Sequence, residues 1–547
     1  MGTHATPPRQ LSRRQALLGA LGLGAIGLGA APADALAASP FRHGVASGDP
    51  LPDAVILWTR LTPSPEATPG SGLGADTGVR WEIFTAAGVT ASGTVRTHAG
   101  SDHTLRIDAR NLTPATVYHY RFTVTDGPHT GAVSPTGRTQ TAPPAGARTD
   151  SLRIALASCA NWESGFFAAY ADLAARGWNG DLDLVVFLGD YIYEYARGEY
   201  TGKAGATRAH EPPWETTTLG DYRARYGHYR TDPALQSAHA CAPWIMVWDD
   251  HETADNSWRG GATNHDATAE GPWAERSDAA RRAYFEWQPI RRVAETDRDR
   301  IYRSFDFGDL AHLSMMDLRT HRDEAIDHMH WLTGAPTTRT MLGEQQYRWL
   351  EEDLDGAHAR WNIMGNSVMM APLNAATLNQ HEQLNPVAEF LGVRSAEGIP
   401  LNLDQWDGFG ADRTRLLHLL RRQQLARGCD TLFLTGDIHT EWASWITLEG
   451  VPLGLEVVCA SISAPNIDEQ LNLPVDNPVS LLAETVIANA NPHIRHVDLD
   501  AHGYSIVRLG RDSAEMSWLR VSDLGDPGSA VVESFHKRWE IGRGFVS

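Results

Sequence analysis

The stretch that decides the fold is residues 182–193, which read Leu-Asp-Leu-Val-Val-Phe-Leu-Gly-Asp-Tyr-Ile-Tyr. The apolar run is rich in β-branched and aliphatic residues, and it stops at Gly189 and Asp190. An apolar run of this length, bounded by turn residues, predicts a fully buried strand. Ligands bind at the carboxyl ends of strands in open α/β sheets. The stretch therefore predicts a strand that delivers Asp190 and Tyr193 to a ligand site.

The same arrangement recurs elsewhere in the chain, where other short apolar runs end in polar residues able to bind a metal ion. The residues that follow these runs are Ser158-Cys159, Asp249-Asp250-His251-Glu252, Asp317-Leu318-Arg319, Asn366 and Gly436-Asp437-Ile438-His439. A single Asp or His after a strand is usually a cap or turn residue. Repetition after so many strands instead predicts a metal centre at the edge of a sheet.

The organisation of the chain predicts an α/β protein with an N-terminal β-domain. From Ser151 onward strands alternate with helical stretches, which predicts a layered α/β catalytic domain over residues 151–522. Helical spacing of apolar residues is clearest over residues 166–176, 344–354 and 413–427. Strand-like segments at 497–499, 504–509 and 514–521 are expected to complete a sheet edge. We expect a helical tail over residues 523–547.

Residues 40–141 are predicted to form a β-sandwich, because apolar runs alternate there with Gly, Pro and Asp turns and show no helical period. Residues 112–122 resemble the tyrosine-corner region of fibronectin type III or immunoglobulin-like sandwiches. A Pro- and Ala-rich stretch, residues 142–150, is the predicted linker. We expect this domain to serve packing rather than chemistry.

Residues 1–37 are predicted to be an export signal. Arg13 and Arg14 precede a Gly- and Ala-rich apolar stretch, and Ala35-Leu36-Ala37 supplies a cleavage site. The apolar stretch is too short and too weakly hydrophobic to span a membrane. The paired arginines resemble a twin-arginine signal. We therefore expect export by the twin-arginine machinery, and a mature protein that is secreted or lies in the cell envelope without a transmembrane anchor.

Charge and cysteine content restrict the function further. The net charge of −20 argues against nucleic acid as a partner, and it means that a local cationic centre must hold any phosphate group. Four cysteines are compatible with two disulfides in an exported protein. For Cys241, Cys429 and Cys459, a buried thiol and a disulfide both remain open. Cys159 differs from them because it directly follows a predicted strand.

The residues after the strands offer two kinds of metal ligand. Hard cations take oxygen ligands, whereas a trivalent or borderline metal also accepts thiolate, phenolate and imidazole. The softer or strongly donating candidates are Cys159, Tyr193 and His439, and the oxygen donors are Asp190, Asp250, Asn366 and Asp437. Asp190 is the best candidate to bridge two ions. Two ions about 3.5–4 Å apart would clamp a phosphoryl group and ionise a water for in-line attack.

In this order the motifs are similar to those of the PhoD-like alkaline phosphatase/phosphodiesterase family, a branch of the calcineurin-like metallophosphoesterases. Residues 41–50 and 58–61 also resemble the N-terminal domain of that family. The resemblance covers essentially the whole mature chain. It implies a ferric ion held by Cys159, Asp190, Tyr193 and His439, and one or two calcium ions that share Asp190 and use Asp250, Asn366 or Asp437.

The resemblance also implies a catalytic role for His251, and the positions of Glu252 and Arg319 after their strands suggest catalytic roles for these two residues as well. His251 would donate a proton to the leaving oxygen, although a structural histidine is the alternative. Glu252 would orient His251 or support the site from behind. Arg319 would contact phosphate, with a salt bridge to Asp317 as the alternative. For residues 221–230, where aromatic residues and arginines alternate, we favour core packing over a role in lining a cleft.

The favoured function is hydrolysis of phosphate monoesters or diesters by a metal-dependent enzyme without a covalent intermediate. One alternative is an iron-containing phospholipase D, or a phosphodiesterase that acts on phospholipids or cell-wall phosphodiesters. A remote alternative is a secreted binding module without catalysis, which would predict the loss of some ligands. All the predicted metal ligands are present in this sequence.

Overall fold

The computed structural model describes residues 39–203, 205–293, 299–332, 338–376 and 399–546, so the predicted export signal lies outside the described residues. The strands are β1 Val45–Gly48, β2 Ala54–Arg60, β3 Gly78–Thr85, β4 Gly88–Arg96, β5 Thr104–Arg110, β6 Val117–Val124, β7 Gly137–Gln140, β8 Ser151–Ala157, β9 Leu184–Leu188, β10 Trp244–Val247, β11 Arg303–Phe307, β12 Ala311–Met315, β13 Trp361–Asn366, β14 Asn374–Ala376, β15 Ile399–Pro400, β16 Asp430–Thr435, β17 Glu441–Leu448, β18 Val451–Val458, β19 Ile494–Asp498, β20 Gly503–Gly510, β21 Ser513–Val521, β22 Val531–Glu540 and β23 Gly544–Val546. The α-helices are α1 Ala168–Trp178, α2 Leu219–Tyr229, α3 Pro233–Cys241, α4 Ala267–Glu270, α5 Trp273–Trp287, α6 His328–Leu332, α7 Gly343–Gly356, α8 Gly410–Arg427, α9 Ile467–Gln470 and α10 Pro478–Ala490.

Two large sheets form the layered α/β domain. The first has the order β23-β22-β21-β20-β8-β9-β10-β1-β2-β5, and the second has the order β11-β12-β13-β16-β18-β17-β19. Strands β8, β9 and β10 are parallel in the first sheet, as are β12, β13, β16 and β18 in the second. Apolar residues of both sheets, such as Val186 and Ile363, belong to one buried cluster. The predicted α/β class is confirmed.

The strand predicted from residues 182–188 is β9, and all its residues are buried. Burial on both faces explains why the run is continuously apolar rather than alternating. The predicted helical stretches correspond to α1, α7 and α8, whose apolar residues pack onto the sheets. Residues 221–230 largely form α2, whose Tyr222, Tyr226 and Tyr229 are buried in the core. The preference for packing over a cleft is confirmed.

The N-terminal region is a sandwich in which strands β1, β2 and β5 pack on a four-stranded sheet of order β4-β3-β6-β7. The hydroxyl of Tyr118 accepts a hydrogen bond from the backbone N–H of Thr113 at 2.9 Å, the contact expected of a tyrosine corner. Strand β1 also pairs in parallel with β10, where Gly48 lies opposite Trp244. The inner sheet of the sandwich is therefore continuous with the first large sheet.

The expectation of a helical tail over residues 523–547 is wrong. Strands β22 and β23 occupy much of this stretch, and β22 pairs antiparallel with β21. Val531, Phe535 and Trp539 pack toward the core at a spacing of four residues, which fits one face of a strand as well as one face of a helix. The short strand-like segments before it, β19, β20 and β21, are present as predicted. Strands β21 and β20 lie between the tail and β8 in the first sheet.

All four cysteines are free and buried, which decides between the two alternatives for Cys241, Cys429 and Cys459 in favour of thiols. In the part of the chain that the structure describes, we find no helix with the length and apolar character needed to cross a membrane.

Candidate metal centre

The predicted ligands meet where the carboxyl ends of β8, β9, β10 and β16 converge. Possible ligand atoms form three groups, each with its atoms within 4.8 Å of one another: Cys159, Asp190 and His439; Asp190, Asp250 and His251; and Asp249, Asp250 and Asp437. Asp190 belongs to two of these groups, as the bridging position requires. Five of the seven predicted ligands are thus brought together in these groups.

Tyr193 completes the first group. Its hydroxyl oxygen lies 3.2 Å from Oδ2 of Asp190 and 3.2 Å from Nε2 of His439. On the far side of the imidazole, Nδ1 of His439 lies 2.8 Å from the carbonyl oxygen of Pro465. Because a carbonyl only accepts, the proton is assigned to Nδ1 and the lone pair of Nε2 faces the site. Burial is the main cause that lowers the pKa of His439 to about 4, which keeps this imidazole neutral.

The backbone turns sharply at each of these strand ends. Cys159, Asp190, Asp437 and His439 have positive φ angles of 59°, 57°, 64° and 63°. This left-handed conformation costs a residue with a side chain about 1–2 kcal/mol. Surrounding hydrogen bonds hold it, among them Cys159 N–H to the carbonyl of Gly189 at 3.1 Å and Ala160 N–H to that of Asp190 at 2.9 Å. Strain concentrated at one place is typical of a functional site.

Glu252 supports the backbone of the site. Its carboxylate accepts hydrogen bonds from the backbone N–H groups of Asp190 at 3.1 Å, Tyr191 at 2.6 Å and Asp249 at 2.8 Å. It therefore ties the end of β9 to the end of β10. The prediction that Glu252 orients His251 is wrong. The alternative role, support of the site from behind, agrees with these contacts.

Glu194 orients His251. Oε2 of Glu194 lies 2.8 Å from Nδ1 of His251, and Oε1 accepts hydrogen bonds from Asp255 N–H at 2.7 Å and Asn264 Nδ2 at 2.8 Å. Burial alone would lower the pKa of His251, but the charges of Asp250 and Glu194 outweigh it and raise that pKa well above the usual value. Sequence reasoning missed Glu194, although it directly follows Tyr193, the last residue of the stretch that decides the fold.

Arg319 lies among carboxylates. It binds Asp249 through two hydrogen bonds of 2.7 Å, Asp404 at 2.7 Å and Asp437 at 3.0 Å. Only its backbone N–H contacts Asp317, so the salt bridge to Asp317 is wrong. Contact with phosphate stays a prediction for Arg319. Asp404 was missed because no long apolar run precedes it in the sequence and no motif surrounds it.

Asn366 ends β13 and is engaged by the protein. Its amide nitrogen donates to Thr435 Oγ1 at 3.0 Å and to the carbonyl of Val368, and its oxygen accepts from the indole of Trp406 at 2.8 Å. These contacts are those of a residue that fixes a turn. A role as metal ligand stays a prediction for Asn366.

Comparison with known proteins decides the family. The sequence profile of the PhoD-like phosphatase matches residues 154–518, and the profile of the PhoD-like phosphatase N-terminal domain matches residues 28–143. The chain belongs to the PhoD-like phosphatase family. The resemblance drawn from the motifs is thereby confirmed.

Relatives agree with this PhoD-like assignment. Alkaline phosphatase D of Bacillus subtilis (strain 168) is 32% identical over 508 residues, which cover 90% of this chain and 79% of that protein. A solved structure of PhoD is 30% identical, covers 93% of this chain and 92% of its own, and superposes with a TM-score of 0.78. The structure of a purple acid phosphatase from yellow lupin seeds is 14% identical, and the match covers 90% of this chain and 73% of that protein. Its TM-score of 0.51 shows a shared fold.

This PhoD-like chain is accordingly an enzyme that hydrolyses phosphoric esters, and its site suits cations. Oδ1 of Asp190 and Oδ1 of Asp250 are buried and have no hydrogen-bond partner among the described residues. Burial raises the pKa of Asp190 and that of Asp437 well above the usual value of a carboxyl group. Buried carboxylates without enough counter-charge are costly, and metal ions at this place would supply that charge.

Proposed function

We propose that the enzyme is secreted, holds one ferric ion and one or two calcium ions, and hydrolyses phosphate monoesters and diesters. The observation that carries the proposal is the meeting of a thiol, a phenol and an imidazole at Asp190, whose second oxygen is left without a partner among the described residues. The set combines sulfur, phenol, imidazole and carboxylate ligands, and a single divalent cation does not need so varied a set.

The ferric ion would be held by Cys159, Asp190, Tyr193 and His439. Thiolate and phenolate are strong anionic donors, which favour a trivalent ion over Zn²⁺. The neutral imidazole of His439 is already turned so that Nε2 faces the other three side chains.

Calcium would be held by the oxygen donors on the other side of Asp190. Asp250 and Asp437 belong to a common group with Asp249, and Asp250 also shares a group with Asp190. Carboxylate oxygens are the ligands that Ca²⁺ prefers. Arg319 pairs with Asp249 and Asp437, so it limits the negative charge of this half of the site.

Bound metal ions would supply positive charge that holds the phosphoryl oxygens and favours ionisation of the attacking water. His251 is suited to give a proton to the leaving oxygen, because Glu194 holds its Nδ1 and leaves Nε2 for the substrate. Its ring packs on that of Tyr193 with centroids 4.3 Å apart, which fixes its position next to the first group.

Export by the twin-arginine machinery is part of the proposal and is supported by the paired Arg13 and Arg14 ahead of an apolar stretch. Replacement of both arginines by lysine should retain the protein inside the cell. A variant with Arg9 replaced by lysine is the control and should be exported normally. Secretion of the double variant at the normal level would contradict this part of the proposal.

A phospholipase activity is the second candidate, and an aromatic group next to His251 favours it. The ring centroids of Tyr195 and Tyr200 lie 5.2 Å apart, and the ring of Tyr200 stacks on that of His251 at 6.1 Å. Aromatic faces attract quaternary ammonium groups such as that of choline. Release of choline from phosphatidylcholine, measured beside phosphate release from a chromogenic monoester, separates the two candidates.

The test of the proposed function combines metal analysis with one substitution. Elemental analysis of the purified native enzyme should find iron and calcium, and its visible spectrum should contain a phenolate-to-iron band. Asp190→Asn should lose both metals and hydrolysis of chromogenic phosphate esters, whereas Asp512→Asn, which changes an exposed carboxylate, should keep them. Hydrolysis at the wild-type rate after Asp190→Asn would refute the proposal.

A further inference from the structure

A second, strongly basic cavity lies outside the metal centre. Its volume is about 470 Å³, and its lining includes residues of β2, β5 and β11, so it opens where the sandwich meets the edge of the second sheet. The arginines that line it are Arg106, Arg110, Arg291, Arg292, Arg300 and Arg303. None of the residues of the metal centre lines this cavity. Such a concentration of positive charge contrasts with the net charge of −20 of the chain.

Among the described residues, two carboxylates form ion pairs with three of these arginines. Asp49 pairs with Arg303 at 2.7 Å, and Asp108 pairs with both Arg291 and Arg110 at 2.5 Å. For Arg106 and Arg300 no carboxylate lies within ion-pair distance in the described part of the chain. Arg106 and Arg300 therefore keep a positive charge that no ion pair among the described residues offsets.

Arg106 is held in place by a neutral group. Its Nη1 donates to the carbonyl oxygen of Phe285 at 2.8 Å. Burial is the main cause that lowers the pKa of Arg106 to about 10, and the positive charge of Arg292 lowers it further. A guanidinium kept charged in such surroundings gains from an anion that enters the cavity.

Arg300 is held by aromatic rings. Its guanidinium carbon lies 4.3 Å from the ring centroid of Tyr302 and 5.4 Å from that of Trp349, and Nε donates to the carbonyl of Tyr302 at 3.2 Å. Stacking fixes a guanidinium by its face and leaves in-plane N–H groups for a ligand. Trp349 also lines the cavity, so Arg300 is fixed at the place where a ligand would bind.

We propose that this cavity binds a soluble anion that carries two or more phosphate or sulfate groups. Guanidinium groups bind the oxygens of such groups through paired hydrogen bonds. The volume is in the range of small-molecule sites and exceeds what one phosphate fills. This inference does not depend on the metal ions or on the reaction at the metal centre.

The experiment is calorimetric titration of the holoenzyme with inositol hexasulfate at low salt, with neutral inositol as the blank. Sulfate esters avoid turnover by a phosphoesterase. Arg300→Gln should weaken binding about tenfold or more, which is the effect of losing charged hydrogen bonds. Arg543→Gln is the matched control, because Arg543 is exposed and pairs with Glu540 far from the cavity lining. It should bind as the wild type does.

Two more variants and a vesicle control show whether the probe binds in this cavity. Asp190→Asn should bind inositol hexasulfate with wild-type affinity, because the cavity does not include the metal centre. Arg106→Gln should weaken binding as Arg300→Gln does, and thermal midpoints show which variants are folded. Lack of binding by the wild type, unchanged affinity in a folded Arg300→Gln variant, or loss of binding in Asp190→Asn would overturn the proposal. So would binding to anionic lipid vesicles without binding to the soluble probe.

Discussion

Nδ1 of His251 lies 2.8 Å from Oε2 of Glu194, and the same carboxylate is anchored by Asp255 N–H and Asn264. Glu194 thus fixes the ring that, in the proposed function, gives a proton to the leaving oxygen. Its position explains why a charged residue is fully buried next to Tyr193.

We expect Glu194→Gln to lower kcat for a chromogenic phosphate diester about 10–100-fold, the usual effect of losing such a supporting contact, with little change in KM. Glu199→Gln, in the same loop but exposed, should keep the wild-type kcat. Steady-state kinetics of the two variants provide the test. An equal fall of kcat in the two variants would contradict the orienting role of Glu194, and so would a change in KM alone in Glu194→Gln.

Tyr193→Phe removes a hydroxyl oxygen that lies 3.2 Å from both Asp190 and His439. For the proposed ferric site, we expect the purified variant to lose the phenolate-to-iron absorption band and to bind iron at least about tenfold more weakly. Tyr195→Phe, two residues away, should retain both properties. A band of unchanged position and intensity in Tyr193→Phe would exclude this phenol as an iron ligand.

Gly189→Ala should disrupt the junction between β9 and β10. A Cβ atom at this position would lie 2.3 Å from Cβ of Asp249, and the φ angle is +94°. Crowding and backbone strain together should lower the free energy of unfolding by about 2–4 kcal/mol and reduce metal content. Gly180→Ala has a φ angle of +80° but open space around the new atom, so it should cost only about 1 kcal/mol. Thermal midpoints and elemental analysis distinguish the two variants.

His312 should make stability depend on pH. Its ring lies 2.7 Å from Asp306 and 2.9 Å from Asp353. Burial alone would lower its pKa, but these carboxylates raise the pKa from 6.5 to about 9. The pKa of His312 is higher in the folded than in the unfolded protein. The stabilisation that protonated His312 provides is therefore complete below about pH 6.5 and is lost as the pH rises through 9. A shift of this size corresponds to about 3 kcal/mol.

The measurement is the thermal midpoint of the wild type and of His312→Gln between about pH 6 and pH 10, which brackets the two pKa values. The wild type should lose stability over this interval, and His312→Gln should lose less because it has no proton to release. Parallel curves for the two proteins would show that this histidine is not responsible.

The cysteines should all react as thiols. Alkylation of the denatured enzyme without reductant should label four cysteines, since all four are free in the fold. Mass spectrometry provides the count. Labelling that requires prior reduction would show a disulfide and contradict the four free thiols.

Much of the metal centre could be predicted because its ligands come from strand ends. The apolar run before Asp190 identifies a buried strand, and parallel strands place their carboxyl ends at one edge, so Cys159, Asp250 and His439 follow from the same rule. Side-chain partners that come from elsewhere do not obey it. Asp404 reaches Arg319 from a loop, and nothing in its local sequence indicates that contact.

Misjudged contacts had a common physical reason. Neighbours in sequence suggested that Glu252 orients His251 and that Arg319 pairs with Asp317, yet adjacent residues after a strand point in different directions. Glu252 turns back to the backbone of β9, and Arg319 reaches Asp249. In the tail, the helix prediction failed because the spacing of Phe535 and Trp539 fits both the helical period of 3.6 residues and the strand period of two. Only the pairing with β21 decides in favour of a strand.

The hydrogen bond between Asp49 N–H and the carbonyl of Trp244, together with the pairing of β1 and β10, makes the sandwich a structural neighbour of the catalytic strands. Cutting the chain at the linker would leave β10 with an unprotected edge, a surface on which other chains can add. We therefore expect a catalytic half without the sandwich to expose this edge and to aggregate.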